Sequence, residues 1–199
     1  YESDRVTISV GQGIAETPLQ MPAAVAAIAN DGLLMRPYVV QQIIERDDAR
    51  WIDPREVHRM AEDDHIRWMQ PQAVRQVVSV QTARTLTRMM TAAVDEETTL
   101  AQVSGYRVAG KSGTAEIPVP GGYHPTDTIA SFVGYLPADD PAFVILVVIN
   151  KPQTSPWGGT VAAPVFARIA QQLVILFDVP PDHVRREIVS NQQINPTVH

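Results

Sequence analysis

A chain of 199 residues with 16 Lys and Arg against 22 Asp and Glu carries a net charge of −6, and 45% of it is hydrophobic. That balance fits a single core with a mildly acidic surface and excludes a disordered chain. No apolar run approaches the roughly 18 residues that a membrane helix requires, and the scattered basic residues exclude the clustered positive footprint of a nucleic-acid binder. Cysteine is absent, which removes disulfides, thiolate catalysis and Cys-ligated zinc or iron–sulfur sites together. Of the 16 basic residues, 14 are Arg, so chemistry needing an ammonium group able to release its proton falls to Lys111 or Lys151. The start, Tyr1-Glu2-Ser3-Asp4-Arg5, lacks the basic and apolar stretches of a signal peptide or anchor.

In chain order, Thr17-Pro18-Leu19-Gln20 predicts a capped helix start, followed by an alanine-rich apolar stripe through Met21, Val25 and Ile28 and a stop at Asn30-Asp31-Gly32. So many alanines predict close packing against a neighbour. Pro22 conflicts locally with an early start and predicts that the regular helix begins a turn after the cap. Val39–Glu45 reads as a short strand, and the charged stretch 46–71 as a hairpin or loop insertion. Ser79 opens a second helix with Ala83, Leu86, Met90, Ala93 and Val94 on one face. Strands follow over 106–115, 128–136 and 143–150, and Pro137–Pro141 is short enough to make the last two antiparallel. Gly158-Gly159-Thr160 starts an amphipathic helix over 161–177, and a polar tail occupies 181–199. The fold class is α+β, an antiparallel sheet flanked by helices.

Gly105-Tyr106-Arg107-Val108-Ala109-Gly110-Lys111-Ser112 fits the nucleotide-binding expression G-x-x-x-x-G-K-S letter for letter. A P-loop must open directly into a helix whose N-terminus cradles phosphates. Here the residues between the glycines alternate like a strand, and Gly113, Pro118 and Pro120 follow. The alternative of a nucleotide-binding protein predicts ATP affinity lost in Lys111→Ala. As a strand, the segment places Ser112 and Thr114 on one face and Lys111 on the other.

Lys111-Ser112-Gly113-Thr114 resembles the third active-site motif of class B penicillin-binding proteins, Lys-Thr/Ser-Gly followed by Thr. The resemblance extends over about residues 6–180 through Val10-Gly11-Gln12-Gly13, Thr17-Pro18-Leu19-Gln20, Ala29-Asn30-Asp31-Gly32, Gly105–Gly110, Ala130-Ser131-Phe132-Val133-Gly134-Tyr135, and Gly158-Gly159 before Ala163-Pro164-Val165-Phe166. It implies a partial penicillin-binding transpeptidase fold for 1–180, similar to the serine β-lactamases. It also implies an enzyme that cross-links peptidoglycan stem peptides through an acyl-serine intermediate and is trapped by β-lactam antibiotics. In that reading Ser112 and Thr114 bind the terminal carboxylate of a D-alanyl-D-alanine peptide. Lys111 points toward a serine of a second motif and supplies positive potential, Gly113 lets a substrate strand lie against the edge, and the Thr114 N–H is an oxyanion donor. No cofactor and no metal are implied.

The family also uses Ser-x-x-Lys, for nucleophile and base, and Ser-x-Asn. None of the eight serines is followed by Lys at the third position or by Asn at the second. The expectation is therefore a C-terminal part of the domain, inactive alone, whose partner is the N-terminal half of its own domain. That half, and an N-terminal membrane anchor placing the protein at the extracytoplasmic face of a bacterial membrane, would lie outside this sequence. A β-lactam sensor or non-catalytic penicillin-fold module is the alternative. Weaker candidates are His58, Glu62 and His65 on one helical face, where a solvated surface is the favoured reading; His124 in the Gly121–Pro125 loop; and Trp157, expected to pack over the glycine turn.

Overall fold

The computed structural model describes residues 16–45 and 65–194. Val10–Gly13, Trp51, His58 and Glu62 lie outside the described residues.

The capping box at Thr17 forms as its sequence predicts: Thr17 N–H donates to Gln20 Oε1 at 2.9 Å and Gln20 N–H donates to Thr17 Oγ1 at 3.2 Å. Helix α1 spans Gln20–Ala29, so Pro22 falls in the first turn, where its missing N–H had no intrahelical partner to lose. Val25 and Ala27 are buried, and the small side chains let α1 lie close to the second helix and the sheet.

Strand β1 (Leu33–Met35) and strand β2 (Gln42–Glu45) lead out to the charged stretch, and β3 (His65–Trp68) and β4 (Ala73–Gln76) return from it. The ladders are antiparallel, β1 with β4 and β2 with β3, with Gln42 opposite Trp68. The expected hairpin is thus present at its base, while the strand expected over Val39–Glu45 is shorter and leaves Val39 fully exposed. His65 sits in a strand, where it cannot share a helical face with His58.

Helix α2 spans Val80–Glu96, and the side chain of Ser79 caps it by accepting the Thr82 N–H at 3.1 Å. Strands β5 (Ala109–Val119), β6 (Gly122–Leu136) and β7 (Phe143–Asn150) form one antiparallel sheet in that order. The ladder between β5 and β6 runs to Val119 opposite Gly122. The stretch expected as a loop at Gly121–Pro125 is therefore the turn and first residues of β6. An irregularity between Glu116 and Pro118 lets a proline sit in the strand.

Register separates two cores. Tyr135, opposite Ala109 and Val144, packs with Val25, Ala29, Met90 and Val133 under α1 and α2. Its hydroxyl lies 2.7 Å from Thr87 Oγ1. The other face carries Phe132, Leu136, Ile145 and Val147 against Ala163, Phe166, Ala167, Ala170 and Val174. The Phe132 and Phe166 ring centroids stand 4.8 Å apart at 59°, a tilted geometry that suits the ring quadrupoles.

Phe166 belongs to the closing helix, made of a short α3 (Gly158–Val161) continued by α4 (Ala163–Leu176). Gly158–Leu176, 19 residues with mean hydropathy 1.4, is long and apolar enough to cross a membrane by length and composition. This corrects the expectation that no stretch reaches that length. Ala163, Phe166, Ala167, Ala170 and Val174 of this helix pack into the core, while Ile169, Ile175 and Leu176 are exposed.

Residues 182–194, expected from the sequence to lie within a polar tail, form helix α5 (Asp182–Ile194). The missed signal was charge placement. Asp182 is 7% exposed; it accepts the Arg107 N–H at 2.9 Å through Oδ2 and an Arg185 N–H at 2.9 Å through Oδ1. Arg185 also pairs with Asp139 and, at 3.3 Å, with Asp140. Asp182→Ala leaves a largely buried guanidinium and a backbone amide short of an acceptor. We expect a loss of about 2–4 kcal/mol, read from urea unfolding.

Burial pushes the Asp139 carboxyl up, but the hydrogen bond and charge of Arg185, helped by Arg107, outweigh it and hold the group below its ordinary value. A depressed carboxylate stabilises the fold above its unfolded value of about 3.9, and the contribution is lost as pH falls through the lower folded value. Asp139→Asn should therefore lower Tm at about pH 6, and the difference from the parent protein should shrink as pH falls through the lowered folded value.

Candidate active site

Strand β5 is an edge strand: β6 pairs with one side, and among the described residues no strand pairs with the other. Lys111 lies opposite Val133, Ser112 opposite Phe132, Gly113 opposite Ser131 and Thr114 opposite Ala130. Since Phe132 packs under α4 and Val133 under α1 and α2, Ser112 and Thr114 face the closing helix and Lys111 faces the other layer, as strand parity requires. Lys111 is exposed, and its Nζ donates to Ser112 O at 2.9 Å.

The strand runs unbroken from Ala109 to Val119, so no helix follows Lys111-Ser112 and the P-loop geometry is excluded. The glycines of that pattern have other reasons. Gly105 adopts φ +87 at a turn, and a Cβ on Gly110 would come within 2.4 Å of the Phe132 ring.

The closing helix delivers a backbone donor to this strand. Gly158 N–H donates to Thr114 Oγ1 at 3.1 Å. A hydroxyl whose oxygen accepts one bond keeps its own proton to donate elsewhere, so Thr114 is set up as a donor. The approach demands glycine: a Cβ on Gly158 would lie 2.2 Å from Ser131 O and 2.3 Å from Gly113 O. Gly159 stands over Ser112, close enough that a Cβ on Gly159 would lie 3.9 Å from the Ser112 Cβ. The sequence marks both glycines but not this bond; two glycines directly before an alanine-rich helix were the available signal. Trp157, expected to pack over the turn, is 64% exposed, because the glycines sit directly on the strand backbones and leave no ledge for the ring.

A second polar cluster was not anticipated. His124, in β6 rather than in a loop, accepts the Asp127 N–H at 2.9 Å through Nδ1, so Nε2 carries its proton, 3.6 Å from Asp127 Oδ2. Lys151 Nζ reaches the same oxygen at 2.8 Å. The Lys151 hydrogen bond, helped by the Lys151 charge, holds the Asp127 carboxyl below its ordinary value against a smaller opposing effect of burial.

An edge strand with hydroxyls on one face, an ammonium on the other and a glycine between them offers the groups that could pair with an extended, anionic chain. Comparison with known proteins gives the class. Residues 1–171 match the family model for the penicillin binding protein transpeptidase domain, and the chain belongs to that family. It is 35% identical over 196 residues to stage V sporulation protein D of Bacillus subtilis, covering 98% of this chain and 28% of that protein. It is 31% identical to the peptidoglycan D,D-transpeptidase FtsI of Escherichia coli K12, covering 95% and 29%. The chain thus spans less than a third of the length of these relatives. Among solved structures, the transpeptidase domain of Burkholderia pseudomallei penicillin-binding protein 3 superposes with a TM-score of 0.72 at 32% identity, covering 92% of this chain and 49% of that one. Penicillin-binding protein 3 of Mycobacterium tuberculosis complexed with ampicillin gives 0.70 at 32% identity, covering 86% and 37%. The expected α+β fold, antiparallel sheet with flanking helices, is borne out.

Proposed function

We propose that this chain forms the C-terminal part of the catalytic domain of a peptidoglycan D,D-transpeptidase, with Lys111–Thr114 as one wall of the active site. The observation that carries the reading is the edge of β5 that no strand covers among the described residues, with Ser112 and Thr114 on one face and Lys111 on the other. The substrate is a stem peptide ending in D-alanyl-D-alanine, and β-lactams enter as its mimics. Ser112 and Thr114 donate hydrogen bonds to the terminal carboxylate; the Gly158 N–H on Thr114 Oγ1 turns that hydroxyl outward as a donor. The Thr114 backbone N–H is one donor to the oxyanion that forms when the peptide carbonyl is attacked. Lys111 supplies positive potential and assists proton movement to the leaving amine.

The attacking serine and its lysine base come from outside this sequence, since no serine here has Lys three residues later. The chain therefore acts together with the preceding half of its own domain, and by itself forms no acyl-enzyme. The working location is the outer face of a bacterial membrane, reached through an anchor encoded elsewhere in the protein. The test is covalent labelling by a fluorescent penicillin. The full-length protein should be labelled and these 199 residues alone should not. A folded full-length protein that takes up no label would overturn the reading.

A further inference from the structure

The connection from β7 to α3, Lys151–Trp157, ends on the glycine that bonds Thr114, yet it is mostly exposed. Burial does not hold it; a set of bonds to two adjacent residues of β6 does. At its start, Lys151 N–H donates to Thr128 O at 2.9 Å and Lys151 Nζ pairs with Asp127 at 2.8 Å. Lys151 itself adopts φ 53, a left-handed conformation that a lysine keeps only when its surroundings hold it there. Gln153 Nε2 closes the turn on Lys151 O at 3.0 Å. At its end, Thr128 Oγ1 donates to Pro156 O at 3.0 Å, two residues before Gly158. Thr128 is in turn paired with Glu116 of β5, two positions beyond Thr114. The strand that carries the Thr114 hydroxyl and the residues that place its donor thus share one frame.

We propose that Asp127 and Thr128 are positioning residues for substrate carboxylate binding. They clamp the two ends of the Lys151–Trp157 connection and so keep the Gly158 N–H on Thr114 Oγ1, which leaves that hydroxyl's proton for the substrate. Neither residue touches substrate. This inference rests on the transpeptidase reading and adds to it a control of affinity rather than of the chemical step.

The test measures penicillin acylation of the full-length protein with binding and acylation separated. Asp127→Asn and Thr128→Val should each weaken binding roughly tenfold, the scale of one hydrogen bond to a charged group, with the acylation rate constant changed less than about twofold. Thr128→Ser keeps the hydroxyl and should bind as the parent protein does. In a Thr114→Val background, which has no hydroxyl to orient, neither substitution should weaken binding further. A substitution that merely unfolds the protein lowers the fraction that takes up label without weakening binding in the rest, and that result overturns the inference. So does unchanged binding, or an equal loss in the Thr114→Val background. If the parent protein itself is not labelled, the transpeptidase reading falls and this inference with it; labelled parent protein with unaffected variants overturns the inference alone.

Discussion

Lys111→Met in the full-length protein should lower the rate of penicillin acylation by about 10²–10⁴-fold, the range for removing a general acid–base or transition-state charge. The fold should barely respond. Lys111 is exposed and its Nζ bonds only the neighbouring carbonyl of Ser112 among the described residues, so Tm should stay within about 2 °C, as for an ordinary surface substitution. Lys111→Arg separates the two parts of the role. Arginine keeps the positive charge but does not release a proton at working pH, so it should recover the part of the rate that comes from potential and not the part that comes from proton movement. Stopped-flow acylation with a chromogenic β-lactam reads both variants.

Gly158→Ala should cost both stability and activity. One added carbon would meet two backbone carbonyl oxygens at 2.2 and 2.3 Å, and neither can move without displacing β5 or β6. We expect about 3 kcal/mol of destabilisation from this overpacking. The surviving folded molecules should also acylate about 100-fold more slowly, since the helix must back away from the strand that carries Ser112 and Thr114 and misplacement of about 1 Å costs that much. Gly159→Ala is the matched control. Its Cβ would have nothing nearer than Thr98 Cγ2 at 3.5 Å, so denaturant midpoint and acylation rate should stay close to the parent values.

Much of this architecture was legible in the residues, for reasons specific to each. The Thr17–Gln20 box and Ser79 gave their helix starts because capping is local, set by side chains within three residues of the amides they satisfy. The alternation of Lys111, Ser112 and Thr114 gave their faces because a strand has period two whatever it packs against. What escaped was long-range. The bond from Gly158 to Thr114 joins residues 44 apart, and the Asp182 contact with Arg107 joins residues 75 apart; no periodicity announces either. Residues 181–199 looked like a tail because they are polar, but Asp182 and Arg185 are polar residues that find partners under the sheet end. The apolar length of Gly158–Leu176 was underestimated because Arg168, Gln171 and Gln172 interrupt the apolar run without breaking the helix.

The central claim is the proposal that the β5 edge, unpaired among the described residues, binds the substrate carboxylate through Ser112 and Thr114, with Lys111 on the opposite side of the strand. A crystal structure of the full-length protein acylated by a β-lactam tests it most directly. The account predicts the ligand lying along β5 with its carboxylate within about 2.6–3.2 Å of both hydroxyl oxygens, and Lys111 Nζ on the other side directed toward the acylated centre. A ligand carboxylate bound away from both hydroxyls, or a β5 edge covered by another strand of the same protein, would contradict it.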